Sequence, residues 1–261
     1  MSELFTMWRS TRMVVLTAIT AALYAAALVA FKFLTILPGV TEFRPGVALV
    51  VLCSLLFGPA AAWGAAIGNI IGDLAGGLGP GTAIGFLANF FFGLFPYRLA
   101  RAFGTAEDPV PRDLKTAAAF AACAIAGSAA CAIVVGAGIQ ALGLWPMAYK
   151  VLTSVILLTN SVVTIGLTPW LLRAIYPRVR ALGLRYQDVL DIPPPATGAR
   201  PAVTGAAALA SLATALVLGY LASFGWIALC PPPAAGSPDA GIALATAPAL
   251  LAALAALRAT R

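Results

Sequence analysis

The chain has 261 residues, of which 61% are hydrophobic and only 10% charged, with a mean hydropathy of +0.97. A soluble domain carries roughly a quarter charged residues, so this composition excludes an ordinary soluble enzyme or binding module and points to a polytopic membrane protein. The net charge of +7 would suggest nucleic acid in a soluble chain, but here the placement of the basic residues accounts for it and no nucleic-acid partner is expected.

Met1 to Arg12 is a short basic start. The apolar run after it is long enough to span and lacks a small-residue cleavage site, so it reads as a first helix and not as a cleavable signal peptide. Eight apolar segments follow one another at 13–31, 46–57, 60–76, 82–97, 116–142, 151–175, 205–229 and 240–257. A helix needs about 20 residues to cross the hydrocarbon. The second and third segments are short and meet at Gly58-Pro59, either as two thin spans or as a re-entrant pair. Both readings return the chain to the same side. The fold class is therefore all-α, a polytopic membrane helical bundle.

With the N-terminus inside, thirteen of the 16 Lys and Arg residues fall on the cytoplasmic side, leaving Lys32, Arg44 and Lys150 outside. Such a bias puts both termini in the cytoplasm. Residues 1–186 read as a six-segment core. Tyr186 to Thr204, with Pro193-Pro194-Pro195, Gly198 and Pro201, reads as a linker over 187–204. Residues 205–261 form an appended transmembrane hairpin whose turn runs from Pro231-Pro232-Pro233 to Pro238-Asp239.

The chemistry gathers between residues 42 and 97. Three apolar segments joined by Gly-Pro turns carry Glu42, Arg44, Asn69, Asp73 and Asn89 in or beside them. Polar groups at membrane depth are costly unless they are paired or face a cavity. Topology brings Glu42, Arg44 and Asp73 to the outer side, together with Trp145, Tyr149 and Lys150 between segments 5 and 6. That grouping fits a pocket with fixed polar contacts and an aromatic wall. Glu42 and Arg44 can equally pair with each other, or Arg44 with Asp73, simply to hold the loop, and Trp145 and Tyr149 can be an interfacial belt. Asn69 and Asp73 are four apart and share a helix face, which suggests a ligand or a structural network. Asn89 and Asn160 fit interhelical hydrogen bonding as well as ligand contact.

Segment 3 repeats Gly64, Gly68, Gly72 and Gly76, a smooth ridge best read as a packing face. Segment 1 repeats Ala18, Ala22, Ala26 and Ala30, a flat face able to dock a partner. The four cysteines, Cys53, Cys123, Cys131 and Cys230, lack paired spacing and the chain has no histidine, so no metal and no cofactor are expected. There is no phosphate-binding loop, no nucleophile elbow and no evident inverted repeat. The chain reads as a non-enzyme, able to bind a solute and dependent on a partner for energy. A self-contained secondary transporter and a non-catalytic membrane scaffold are the alternatives.

The basic start, the alanine-ridged first helix, the loop Glu42-Phe43-Arg44-Pro45-Gly46, the turn Leu55-Leu56-Phe57-Gly58-Pro59 and the stretch Gly68-Asn69-Ile70-Ile71-Gly72-Asp73 resemble the substrate-binding S components of energy-coupling factor (ECF) transporters. The resemblance covers roughly residues 13–186. It implies a six-helix fold in the cell membrane of a prokaryote that captures a vitamin-like micronutrient at its outer face. It further implies docking of helix 1 onto a membrane coupling subunit that sits on two cytoplasmic ATPases. By resemblance Ala18, Ala22 and Ala26 belong to the docking face. Glu42, Arg44, Trp145, Tyr149, Lys150 and Asn160 would then contact ligand, and Asn69 and Asp73 belong to a family-like motif. A planar heterocycle such as a flavin, a deazapurine precursor or a pterin would suit the aromatic pair and the charges. The C-terminal hairpin lies outside the family's six-helix core.

Overall fold

The computed structural model describes residues 1–37, 41–193, 199–227, 229–230 and 237–259, with backbone alone at 35–37, 41–42, 199 and 200. A short helix α1 (Glu3–Thr6) and a 3-10 turn (Met7–Arg9) lead into α2 (Thr11–Ala30). Two short strands, β1 (Thr35–Leu37) and β2 (Thr41–Glu42), pair antiparallel in the loop after α2. Then follow α3 (Val47–Phe57), α4 (Pro59–Leu74), α5 (Pro80–Ala102) and α6 (Leu114–Ala141). A single π turn at Tyr149–Thr153 opens α7 (Ser154–Ala181), and α8 (Tyr186–Val189), α9 (Ala199–Ser223) and α10 (Ala240–Ala259) complete the chain. Among the described residues, six helices are long and apolar enough to cross a membrane. The protein is a multi-pass membrane protein, as its composition requires. The β pair and the N-terminal turns were not expected from the hydropathy pattern, being too short to leave a periodicity.

The short pair α3–α4 is explained by where it sits. Every residue of α3 except Leu49 is buried, so protein and not lipid sheathes it, and its length need not match the bilayer. Gly58 joins the two helices at a φ of +53°, open to glycine at little cost. Its position lies against the Tyr186 ring, where an added Cβ would come within 2.6 Å of the ring carbon. Tyr186 follows α7, so the turn reaches the end of the bundle opposite Arg44 and Asp73. The pair therefore runs from one end to the other.

Close approach of backbones builds the rest of the core. Added Cβ atoms on Gly64, Gly68 and Gly72 of α4 would lie 2.6 Å from Thr20 Cβ, 2.8 Å from the Ala21 carbonyl and 2.7 Å from Leu28 Cδ1, all on α2. The glycine ridge is thus the α2–α4 packing face. Gly93 of α5 approaches Ala62 of α4 in the same way, at 2.7 Å from its Cα. Ser54 of α3 supports α5 near Pro96: its hydroxyl donates to the Gly93 carbonyl at 2.6 Å and accepts the Tyr97 N–H at 3.2 Å. A helix that contains proline needs such outside partners.

The C-terminal hairpin is bound tightly to the core. The helices α9 and α10 pack on each other and on α6. Tyr149 donates its hydroxyl to the Ala215 carbonyl at 3.1 Å, and the hydroxyls of Ser154 and Tyr220 lie 2.7 Å apart. Gln140 donates to Asp239 at 2.8 Å. The expected linker over 187–204 is shorter than the prolines imply: α8 continues to Val189 and α9 already begins at Ala199. Pro201 lies in the first turn of α9, where its missing N–H breaks no helical bond. Pro194, Pro195 and Gly198, and Pro231 to Pro233 of the hairpin turn, lie outside the described residues.

Arg98 ties the two ends of the chain together. Its Nη1 donates to Glu3 at 2.6 Å and its Nη2 to the carbonyl of Leu257. The first and last helices therefore finish at the same end of the bundle.

Candidate functional site

At the other end a cavity of about 400 Å³ opens between α2, α4, α5, α6 and α7. Four of the residues singled out in the sequence, Asn69, Asp73, Asn89 and Asn160, line it from three different helices, and Arg44 lines it from the loop before α3. Its apolar wall comes from Val135 and Ile139 of α6 and from Leu152 and Ile156 at the start of α7. The loop glycines Gly77 and Gly79, and Gly81 in the first turn of α5, border it.

A hydrogen-bonded chain crosses the cavity side of three helices. The Tyr24 hydroxyl of α2 donates to Asn89 Oδ1 at 2.8 Å. Asn89 of α5 donates through Nδ2 to Asn69 Oδ1 at 2.9 Å, and to the Gly85 carbonyl at 2.8 Å. Asn69 of α4 donates through Nδ2 to Asp73 Oδ2 at 3.0 Å. Each amide is both donor and acceptor, so the chain runs with one polarity from phenol to carboxylate. Asn69 and Asn89 are 1% and 3% exposed. Their mutual satisfaction fixes both side chains, as buried polar groups require. Gly85 makes room for this: a Cβ there would sit 2.6 Å from Asn69 Nδ2.

Three groups at the cavity keep hydrogen-bonding capacity in reserve. Arg44 has its Nε buried with no partner and forms no ion pair among the described residues. The Arg44–Asp73 pairing considered for the loop is therefore not formed. Asp73 is half-buried and, among the described residues, accepts only from Asn69. Asn160 is 7% exposed, and its side-chain amide faces the cavity without a hydrogen bond among the described residues. A cation, an anion and an amide thus surround one space with apolar walls. That arrangement suits a compact polar ring better than a purely apolar solute.

The aromatic wall expected from Trp145 and Tyr149 is not there. Tyr149 is fully buried against the hairpin, where a Cβ on Gly219 would meet its hydroxyl oxygen at 2.3 Å. Lys150 places its Nζ 4.5 Å from the centre of the Phe224 ring, again on the hairpin side. Trp145 is half-buried in the loop after α6 and does not line the cavity. The hairpin takes up Tyr149 and Lys150. The Glu42 side chain lies outside the described residues. Conversely, Tyr24 was missed. The only tyrosine of α2, on the same face as Thr17 and Thr20, was a visible signal, because a buried phenol must find a partner.

On the outside of the bundle Ala18, Ala22 and Ala26 of α2 are exposed, beside the exposed Val15, Ile19 and Leu23. The opposite face of α2, with Thr17, Thr20, Ala21 and Tyr24, is the one buried on α4.

A model of the QueT transporter family matches residues 14–177. No curated protein and no solved structure matches the chain.

Proposed function

Because the chain belongs to the QueT transporter family, and so to the ECF-type S components, we propose that it captures a queuosine precursor, a substituted deazapurine, at its outer face. The observation that carries this reading is the cavity between α2 and α7. It offers Arg44, Asp73 and Asn160, each with hydrogen-bonding capacity left among the described residues, around a space of about 400 Å³. The lactam and amino edges of a deazapurine present adjacent donors and acceptors, which a carboxylate and amides can meet. Asn69 and Asn89 hold the carboxylate in place and are themselves spent on each other.

The outer position of this cavity rests on the positive-inside bias, with Arg98, Arg101, Arg112 and Lys115 grouped in and after the far end of α5. Both termini are then cytoplasmic. Energy for import comes from a partner: the exposed Ala18–Ala22–Ala26 face of α2 docks a membrane coupling subunit served by two ATPases. Small residues allow a partner helix to approach closely in lipid, where apolar surface alone gives no preference for protein over lipid. The deazapurine would thus be delivered only in the assembled complex.

Calorimetric titration of the purified full-length chain with free deazapurine bases tests the reading. Saturable binding of a queuosine precursor, with guanine much weaker, is the expected result. Absence of binding to any deazapurine would overturn the substrate assignment.

A further inference from the structure

A second cavity, of about 920 Å³, lies at the opposite end of the bundle. It is lined by Arg98 and Arg101 of α5, by Tyr186 and by Arg258 of α10, with the N-terminal helix beside them. Arg98, Arg101 and Tyr186 are 3%, 8% and 1% exposed. Part of their hydrogen-bonding capacity is used. Arg98 holds Glu3 and the Leu257 carbonyl, and Arg101 donates through Nη2 to the Pro193 carbonyl at 3.4 Å. Arg98 Nε, Arg101 Nη1 and Tyr186 Oη are buried without a well-aligned partner among the described residues, the Tyr186 hydroxyl lying beside the Arg101 guanidinium. All three residues line this one cavity.

Unpaired buried donors are rare and costly in native proteins, the more so on a charged group. Among the described residues Glu3 is the one carboxylate lining the cavity, against the three guanidinium groups of Arg98, Arg101 and Arg258. Surplus positive charge with several unmet N–H and O–H donors calls for an anion that carries several acceptor oxygens. Arginine forks match phosphate in geometry and charge. We propose that this cavity binds a phosphate group. The phosphate has two possible carriers, an anionic lipid headgroup or a free phosphorylated solute. Phe5 and Trp8, 70% and 43% exposed on the segment flanking the cavity, place it at the level where aromatic residues meet lipid headgroups.

The test uses the full-length protein, delipidated in an uncharged detergent, and two probes: inorganic phosphate, with chloride at equal ionic strength as the reference, and short-chain phosphatidylglycerol. Saturable binding of at least one probe is expected, weakened about tenfold in Arg101→Gln by loss of a charged hydrogen-bonding partner. Tyr186→Phe keeps the ring against Gly58 and should weaken binding several-fold. Binding of phosphatidylglycerol alone assigns the site to a headgroup, and binding of both probes assigns it to phosphate in any carrier. Should Arg101→Gln fail to fold, Tyr186→Phe and the exposed Arg258→Gln decide. Binding of neither probe, or unchanged affinity in the folded variants, would overturn the proposal.

Discussion

Asn89 and Asn69, twenty positions apart on neighbouring helices, meet through one hydrogen bond of 2.9 Å from Nδ2 to Oδ1. This bond joins the Tyr24 hydroxyl on one side to the Asp73 carboxylate on the other. Replacing Asn89 by Leu removes both links and leaves the phenol and the Asn69 carbonyl oxygen buried and unpaired. A cost of about 2 kcal/mol is expected, seen as a lowered melting temperature, together with loss of deazapurine binding. A variant that melts like the parent would show that the chain of bonds does not hold the helices.

Gly85 gives a cleaner separation of binding from stability. It borders the cavity, and a methyl group there would displace the Asn69 amide from its 2.6 Å approach. Gly85→Ala should favour the helix by removing a flexible residue, yet weaken ligand binding by about tenfold through the shifted Asn69 and Asp73. Titration and thermal melting of the same preparation check this. Unaltered affinity would mean that the asparagine can move without disturbing the carboxylate.

Arg44 has no ion-pair partner among the described residues and a buried Nε without an acceptor. Its guanidinium faces the Tyr24 hydroxyl, but that hydroxyl keeps Asn89 as its partner, so removing Arg44 costs the fold little. Arg44→Ala should therefore weaken ligand binding by roughly tenfold or more while leaving the melting temperature of the unliganded protein within a degree or so. An unchanged dissociation constant would assign Arg44 to holding the loop.

Much of this site could be read from the amino acids because polar residues stand out against an apolar background. Asn69, Asp73, Asn89 and Asn160 were visible for that reason, and the four-residue spacing of Asn69 and Asp73 already placed them on one face. The glycine ridge was readable too, since small residues at a fixed spacing have few uses other than close packing. That Trp145, Tyr149 and Lys150 stand away from this cavity could not be read, for the opposite reason. The positions of Tyr149 and Lys150 depend on α9 and the residue after it, and the contacts Tyr149–Ala215 and Lys150–Phe224 leave no trace in local sequence. Tyr24 was overlooked because a tyrosine within an apolar helix looks like one more core residue until its hydroxyl is given a partner.

The Glu3–Arg98 pair makes the joined termini sensitive to acid. Burial alone would raise the Glu3 carboxyl, but Arg98 and the amino terminus outweigh it and hold the group below its ordinary value of 4.5. A carboxyl depressed by folding stabilises fully above that ordinary value, and the contribution is lost as pH falls through the lowered one. The melting temperature should stay flat on the neutral side and fall in the acid range below that value. In Glu3→Gln it should start lower at neutral pH and vary less with acid. Parallel curves for the two proteins would show that the pair contributes nothing to stability.

If the exposed alanines of α2 form the proposed docking face, changing them affects transport and not binding. Ala18, Ala22 and Ala26 point away from α4, while the Tyr24 that reaches the cavity lies on the buried face of the same helix. A large side chain at Ala22 therefore has room in the isolated protein and no contact with the ligand. Ala22→Trp should bind deazapurine as the parent does and melt at a similar temperature. In cells supplied with the coupling subunit and ATPases it should fail to accumulate the solute, because a bulky group keeps a partner helix several ångströms away from a face that small residues leave flat. Co-purification of the coupling subunit, measured beside uptake, separates a docking defect from a later one. Uptake at the parent's rate would mean that the coupling subunit meets another face of the bundle.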